Sequence, residues 1–189
     1  VDVPDRAGNV ASQTWTFRVD RTGPTILGVV PAPGAILADH RPVFRAVVSD
    51  ESGVNHAAAS AAVDQEVVAA TANFTDAVYE FSASTRLEDG FHQGLVTAVD
   101  NLGNRTTLAI PIRIVSALAV IGSEGGRLEV TDPESRILGA AWEIPAGALA
   151  GPTLLYIVDV HLPANPLGGF GDVHEVPVFF GWTRTGAAV

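Results

Sequence analysis

Five acidic residues in turn-forming stretches carry the chemistry that this 189-residue sequence singles out: Asp5, Asp20, Asp50, Glu51 and Asp100. Calcium takes about six to eight oxygen ligands, and acidic turns offer carboxylates and backbone carbonyls together. The competing use is local. An aspartate folds its carboxylate onto nearby backbone N–H groups and so closes its own turn. Asp50-Glu51-Ser52-Gly53 also reads as an ordinary solvated loop, and no loop of the EF-hand pattern is present. Turn closure and calcium binding are both open to these residues.

Other chemistries fall away by composition. There is no cysteine and no lysine, which removes thiolate nucleophiles, Cys-based metal sites, P-loops and Schiff bases. The histidines at 40, 56, 92, 161 and 174 show no metal-protease spacing. They read as exposed strand or loop residues, although His161 and His174 could meet Asp159 across strands. Gly122-Ser123-Glu124-Gly125-Gly126 lacks the nucleophile-elbow pattern and reads as a turn. The sequons at Asn73 and Asn104 read as accidental. No residue constellation for an enzyme emerges. The net charge of −10, with all 11 basic residues arginine, argues against nucleic acid and anionic membrane surfaces as partners. No apolar run is long enough for a helical membrane span.

The elements that must position these residues show a repeat. Sliding the chain by 95 aligns Asp5, Gly8, Asn9 and Arg18 with Asp100, Gly103, Asn104 and Arg113. Trp15, Phe17 and Val19 then fall on Ile110, Ile112 and Ile114. Both copies read as strand, tight turn and strand: Asp binds backbone N–H groups, Gly supplies positive φ and Asn tolerates the left-handed region. By this pattern Trp15 reads as a core residue, unless its partner sheet is missing; an isolated hairpin is marginal in water. The hairpin is then expected either to pack on the next domain or to be poorly ordered. The chain has no methionine, even at position 1, and opens inside a hairpin, so a fragment of a longer protein is expected.

Strands are expected at Ile26–Val30, at Pro42–Ser49 with Val43 inward, at Val78–Ser84, at Gly94–Val99 and at Thr106–Ile114, with Asp89-Gly90 as a turn. Residues 57–72 are alanine-rich, which favours helix, but Val63, Val67 and Val68 tip the reading to short strands. Trp142, Tyr156, Phe170, Phe179, Phe180 and Trp182 gather in the last third. They serve either a core or an exposed face that stacks on sugars or docks a protein.

The stretch "VTAVDNLGNRTTLAIPIRI", the linker "VDRTGPTI" and the segments 47–65 and 87–100 resemble tandem bacterial Ig-like domains. The phrase Ile144-Pro145-Ala146-Gly147-Ala148-Leu149 is similar to the core of ZU5-type β-sandwiches. These resemblances imply an all-β fold of tandem Ig-like β-sandwich domains. The hairpin 1–20 would end a truncated domain, 21–24 would link, 24–115 would be a complete sandwich, and 116–189 a second, ZU5-like β-rich domain, itself truncated. They imply a non-catalytic structural or adhesion spacer of an exported, extracellular or cell-surface bacterial protein, partnered by neighbouring domains. An accessory carbohydrate- or protein-binding region of an extracellular enzyme is the alternative. Junctions stiffened by Ca²⁺ are a further implication of the Ig-like resemblance.

Overall fold

The computed structural model describes residues 2–17, 19–68, 71–73, 77–160 and 178–183, and its regular structure is strand throughout, apart from one 3₁₀ turn at His56–Ala58. The fold is all-β. A first hairpin pairs β1 (Asp2–Pro4) with β2 (Val10–Ser12). Then follow β3 (Thr25–Val30), β4 (Ala35–Leu37), β5 (Phe44–Ser49), β6 (Ser60–Val63), β7 (Glu66–Val68), β8 (Thr71–Asn73), β9 (Val78–Phe81), β10 (Gly90–Val99) and β11 (Arg105–Ile114). The chain continues with β12 (Ala117–Ile121), β13 (Gly126–Glu129), β14 (Ala141–Ile144), β15 (Thr153–Asp159) and β16 (Val178–Thr183).

A five-stranded sheet in the order β4-β11-β10-β6-β7 and a four-stranded sheet in the order β3-β5-β9-β8 enclose one core. The long β10–β11 hairpin pairs ten residues of each strand in unbroken register. Period-two alternation buries Val96 and Ala98 from β10, and Ile110, Ile112 and Ile114 from β11. They meet Phe44, Ala46 and Val48 of β5, and Phe44 stacks on Phe81 with ring centroids 5.0 Å apart. The alanine-rich stretch forms strands: Asp64 and Gln65 turn β6 into β7 with φ of 50° and 72°, the paired positive angles of a tight hairpin turn.

Beyond β11 there is no slack connection. Val115 N–H donates to Leu37 O at 2.9 Å in the first unit, and Ser116 N–H donates to Ile157 O at 2.9 Å in the next. Strand β15 lies between β12 and β16, so both its edges are paired, and its two faces meet different clusters. Leu155 and Ile157 enter a second core with Ala117, Leu128, Val130 and Ile144, while Tyr156 and Val158 pack on Val115 and Ile36. This explains why Leu154–Val158 is apolar without alternation.

Three expectations are corrected. Strand β5 is in the opposite phase, with Val43 exposed and Phe44 inward, because the aromatic ring fills the space between the sheets. Gly90 opens β10 rather than sitting in a turn. Trp15 and Phe17 are 72% and 83% exposed, and Val19 is exposed with them. They lie beyond the three-residue strand β2, and none joins a buried cluster among the described residues. The hairpin therefore does not pack through these residues on the following sandwich.

The repeat makes a paired prediction. Ile112→Ala should cost about 2–5 kcal/mol through cavity formation. Its counterpart Phe17→Ala should stay within about 0.5 kcal/mol of the parent. Urea unfolding of both variants checks this, and equal losses would contradict the assignment of Phe17 as surface.

Candidate metal centre

The two repeated corners have the same structure. Asp5 Oδ1 accepts from Ala7 N–H and Asn9 N–H, both at 2.9 Å, and Asp5 Oδ2 from Asn9 Nδ2 at 2.8 Å. Asp100 Oδ1 accepts from Leu102 N–H and Asn104 N–H, both at 2.8 Å, and Asp100 Oδ2 from Asn104 Nδ2 at 2.7 Å. Gly8 and Gly103 take φ of +85° and +92°, a conformation that glycine adopts without steric cost. The flanking register is also shared: Asp2↔Ser12, Val3↔Ala11 and Pro4↔Val10 correspond, shifted by 95, to Thr97↔Thr107, Ala98↔Thr106 and Val99↔Arg105.

The corners differ in what surrounds them. Asp5 is exposed, whereas Asp100 is fully buried. Two other segments close over Asp100. The turn after β5 is stitched to it by Asn101 N–H to Gly53 O at 3.0 Å and Asn101 Nδ2 to Ser52 O at 2.9 Å. The linker before β3 approaches with Asn104 Nδ2 to Asp20 O at 3.4 Å. Gly23 lies so close to β11 that a Cβ there would sit 2.7 Å from the Arg105 carbonyl.

This convergence places carboxylate oxygens of Asp20, Asp50 and Asp100 within 4.8 Å of one another. Each also closes its own turn. Asp20 Oδ1 accepts from Thr22 N–H at 3.0 Å and Thr22 Oγ1 at 2.7 Å, and Asp50 Oδ1 from Ser52 N–H at 2.7 Å and Ser52 Oγ at 2.6 Å. The two uses are compatible, because an ionised carboxylate offers about four lone-pair sites. An open cleft of about 600 Å³ beside the cluster is lined by segments 19–25 and 49–51. Glu51 lines this cleft without belonging to the close set, and Asp5 stands at the other corner. Of five candidates, the fold thus brings three together. Such a group concentrates negative charge and suits a hard, oxygen-seeking cation.

Electrostatics at the corner favour the ionised form. Burial, the largest influence on Asp100, pushes its pKa up, but the Asn104 amide and the N–H groups of Asn104, Leu102 and Gly103 together bring it below the ordinary 3.8. Asp5 is lowered too, chiefly by the Asn9 side chain.

The expectation of exposed histidines is corrected at three positions, since His56 and His92 are half-buried. His40 is buried, with Nδ1 2.7 Å from Leu87 O. His161 and His174 lie outside the described residues, and Asp159 is held by Arg136 Nε and Nη2, both at 2.9 Å. Of the clustered aromatics, Tyr156 is buried and Trp142 packs on the second core; Phe170 lies outside the described residues.

No family model matches the chain, and no curated protein matches it. Among solved structures, it is similar to CopC from Methylosinus trichosporium OB3b, at 13% identity over 48% of this chain and 92% of that one, with a TM-score of 0.41. It is also similar to dimeric latent PorU from Porphyromonas gingivalis, at 16% identity over 77% of this chain and 19% of that one, with a TM-score of 0.43. Both likenesses are loose, and neither transfers a function.

Asp100 contributes stability that is fully present above the unfolded carboxylate value near 3.8 and is lost as pH falls through the lower folded value. Asp100→Asn should therefore lower the thermal midpoint at neutral pH, with the deficit shrinking as the medium is acidified below about pH 4. Midpoints measured across that range check this; a constant deficit would contradict it.

Proposed function

We propose that this chain is a non-catalytic spacer or adhesion module of an exported bacterial protein, built from tandem Ig-like sandwiches followed by a ZU5-like unit. The observation that carries the reading is the pair of corners 95 residues apart with the same hydrogen bonds and the same register. A repeat of whole hairpins at that spacing suits serial sandwich domains rather than a solenoid. Direct backbone bonding on both sides of residues 115–116 also suits a chain that must hold one unit against the next. Neighbouring domains of the same protein are then its principal partners.

In this reading the Asp20–Asp50–Asp100 cluster is the Ca²⁺ site, joining the entering linker to two turns of the sandwich. Ion binding would hold the entry angle of the chain and favour the folded state by mass action. Extracellular modules bind Ca²⁺ with Kd of about 10⁻⁴–10⁻³ M, so about 5 mM Ca²⁺ should add about 1–2 kcal/mol.

Two measurements test the proposal. The thermal midpoint of chelator-treated protein should rise on adding Ca²⁺ and should stop responding in Asp50→Asn; an unresponsive parent removes the calcium site. A glycan array probed with the chain should show no saturable ligand. Saturable binding would replace the spacer with an accessory carbohydrate-binding role.

A further inference from the structure

A second cluster of ligating side chains lies between the two cores. His40, from the connection between β4 and β5, and Asp89, just before β10, share a cavity of about 90 Å³ with Asp159 of the following unit, and Asp132 approaches His40 beside it. The side chains of His40, Asp89 and Asp159 are 6%, 2% and 8% exposed. Yet His40 Nε2, Asp89 Oδ1 and Asp159 Oδ1 are buried with no hydrogen-bond partner among the described residues. Orphaned buried polar atoms are costly and call for an occupant.

Their chemistry defines that occupant. His40 Nδ1 sits 2.7 Å from a carbonyl, which can only accept, so Nδ1 carries a proton and Nε2 is left to face the carboxylates. Once Nε2 gives up any proton, as a metal ligand must, the unmatched atoms are all acceptors. Nε2 lies 3.5 Å from Asp89 Oδ1 and 3.9 Å from Asp132 Oδ2. Two ligands at adjacent corners of a tetrahedron around zinc are separated by about 3.4 Å, given bonds of about 2.0–2.2 Å. The supporting contacts follow the pattern of metal sites, where a ligating imidazole donates its other N–H to a carbonyl and ligating carboxylates are themselves hydrogen-bonded. Asp89 Oδ2 accepts from Ser116 Oγ and from Asp159 N–H, both at 2.6 Å, and Asp132 Oδ2 accepts from Arg86.

We propose that this junction pocket binds one divalent transition-metal ion of the zinc class, with His40 Nε2 and Asp89 Oδ1 as its core ligands. Asp132 or Asp159 supplies a third oxygen, and water completes the sphere. The nitrogen ligand separates this site from the all-carboxylate corner at Asp100, which suits calcium. Among the lining residues Glu88, Asp89, Glu134 and Asp159 outnumber Arg86 and Arg136, so the pocket's charge favours a cation. The ion would tie the two units together. The proposal does not rest on the spacer reading.

Zn²⁺ titrated into chelator-treated protein, followed by calorimetry, tests it. One equivalent should bind, and His40→Gln and Asp89→Asn should each weaken it at least tenfold, an effect expected for loss of a ligand or its support. Asp50→Asn should leave zinc affinity unchanged. A parent that takes up no Zn²⁺, or His40→Gln binding with unchanged affinity, overturns the site. Should the variants misfold, nitrogen NMR of the native protein decides: saturating Zn²⁺ should shift the His40 Nε2 resonance, and an unmoved resonance refutes coordination.

Discussion

The carboxylate of Asp100 and the N–H groups it gathers are the constraint on which the rest depends. One side chain accepts from two backbone amides and one side-chain amide within five residues, which fixes where β10 stops and β11 begins. A one-residue slip at that point would turn Ile110, Ile112 and Ile114 out of the core, since side chains alternate along a strand. The corner is self-contained chemistry. That is why the same hydrogen bonds form at Asp5, which is exposed.

Strand β10 carries a buried carboxylate at each end, and each end is a junction. At Asp100 the linker and the turn after β5 converge. Eleven residues earlier, a rise of about 3.4 Å each, Asp89 receives the hydroxyl of Ser116 and the backbone of Asp159 from the following unit. The hairpin is thus the axis of the first sandwich and the attachment point for chain on both sides. Arg113, stacked over Phe91 at 4.9 Å and Tyr156 at 5.0 Å, reinforces the second junction.

What could be read from sequence follows the range of the interactions. The Asp-x-x-Gly-Asn corners were legible because their determinants lie within five residues. Strands at 57–72 were legible from Val63, Val67 and Val68, against the helical bias of the alanines. The phase of β5 was not: Val43 and Phe44 are both apolar, and only the opposite sheet selects Phe44 for the interior. The acidic residues were nameable from turn chemistry, but which three converge depends on the fold. His40 gave no signal, because its neighbours Leu87, Asp89 and Asp132 are 47 to 92 residues away.

The means by which buried charge is compensated bears on how the junctions behave. An ion pair with a long basic side chain survives small shifts, because that side chain follows its partner. Asp100 and Asp89 instead rely chiefly on backbone N–H and short side-chain donors, which move only with the chain itself. Such bonds are strong when geometry is kept, and leave a desolvated charge when it is lost. Separating the units at Ser116 would therefore strip Asp89 of both its donors at once, so the interface resists partial opening and yields as a whole. Asp100 and Asp89 are thus answered by backbone and short side-chain donors, whereas Asp132 and Asp159 pair with Arg86 and Arg136.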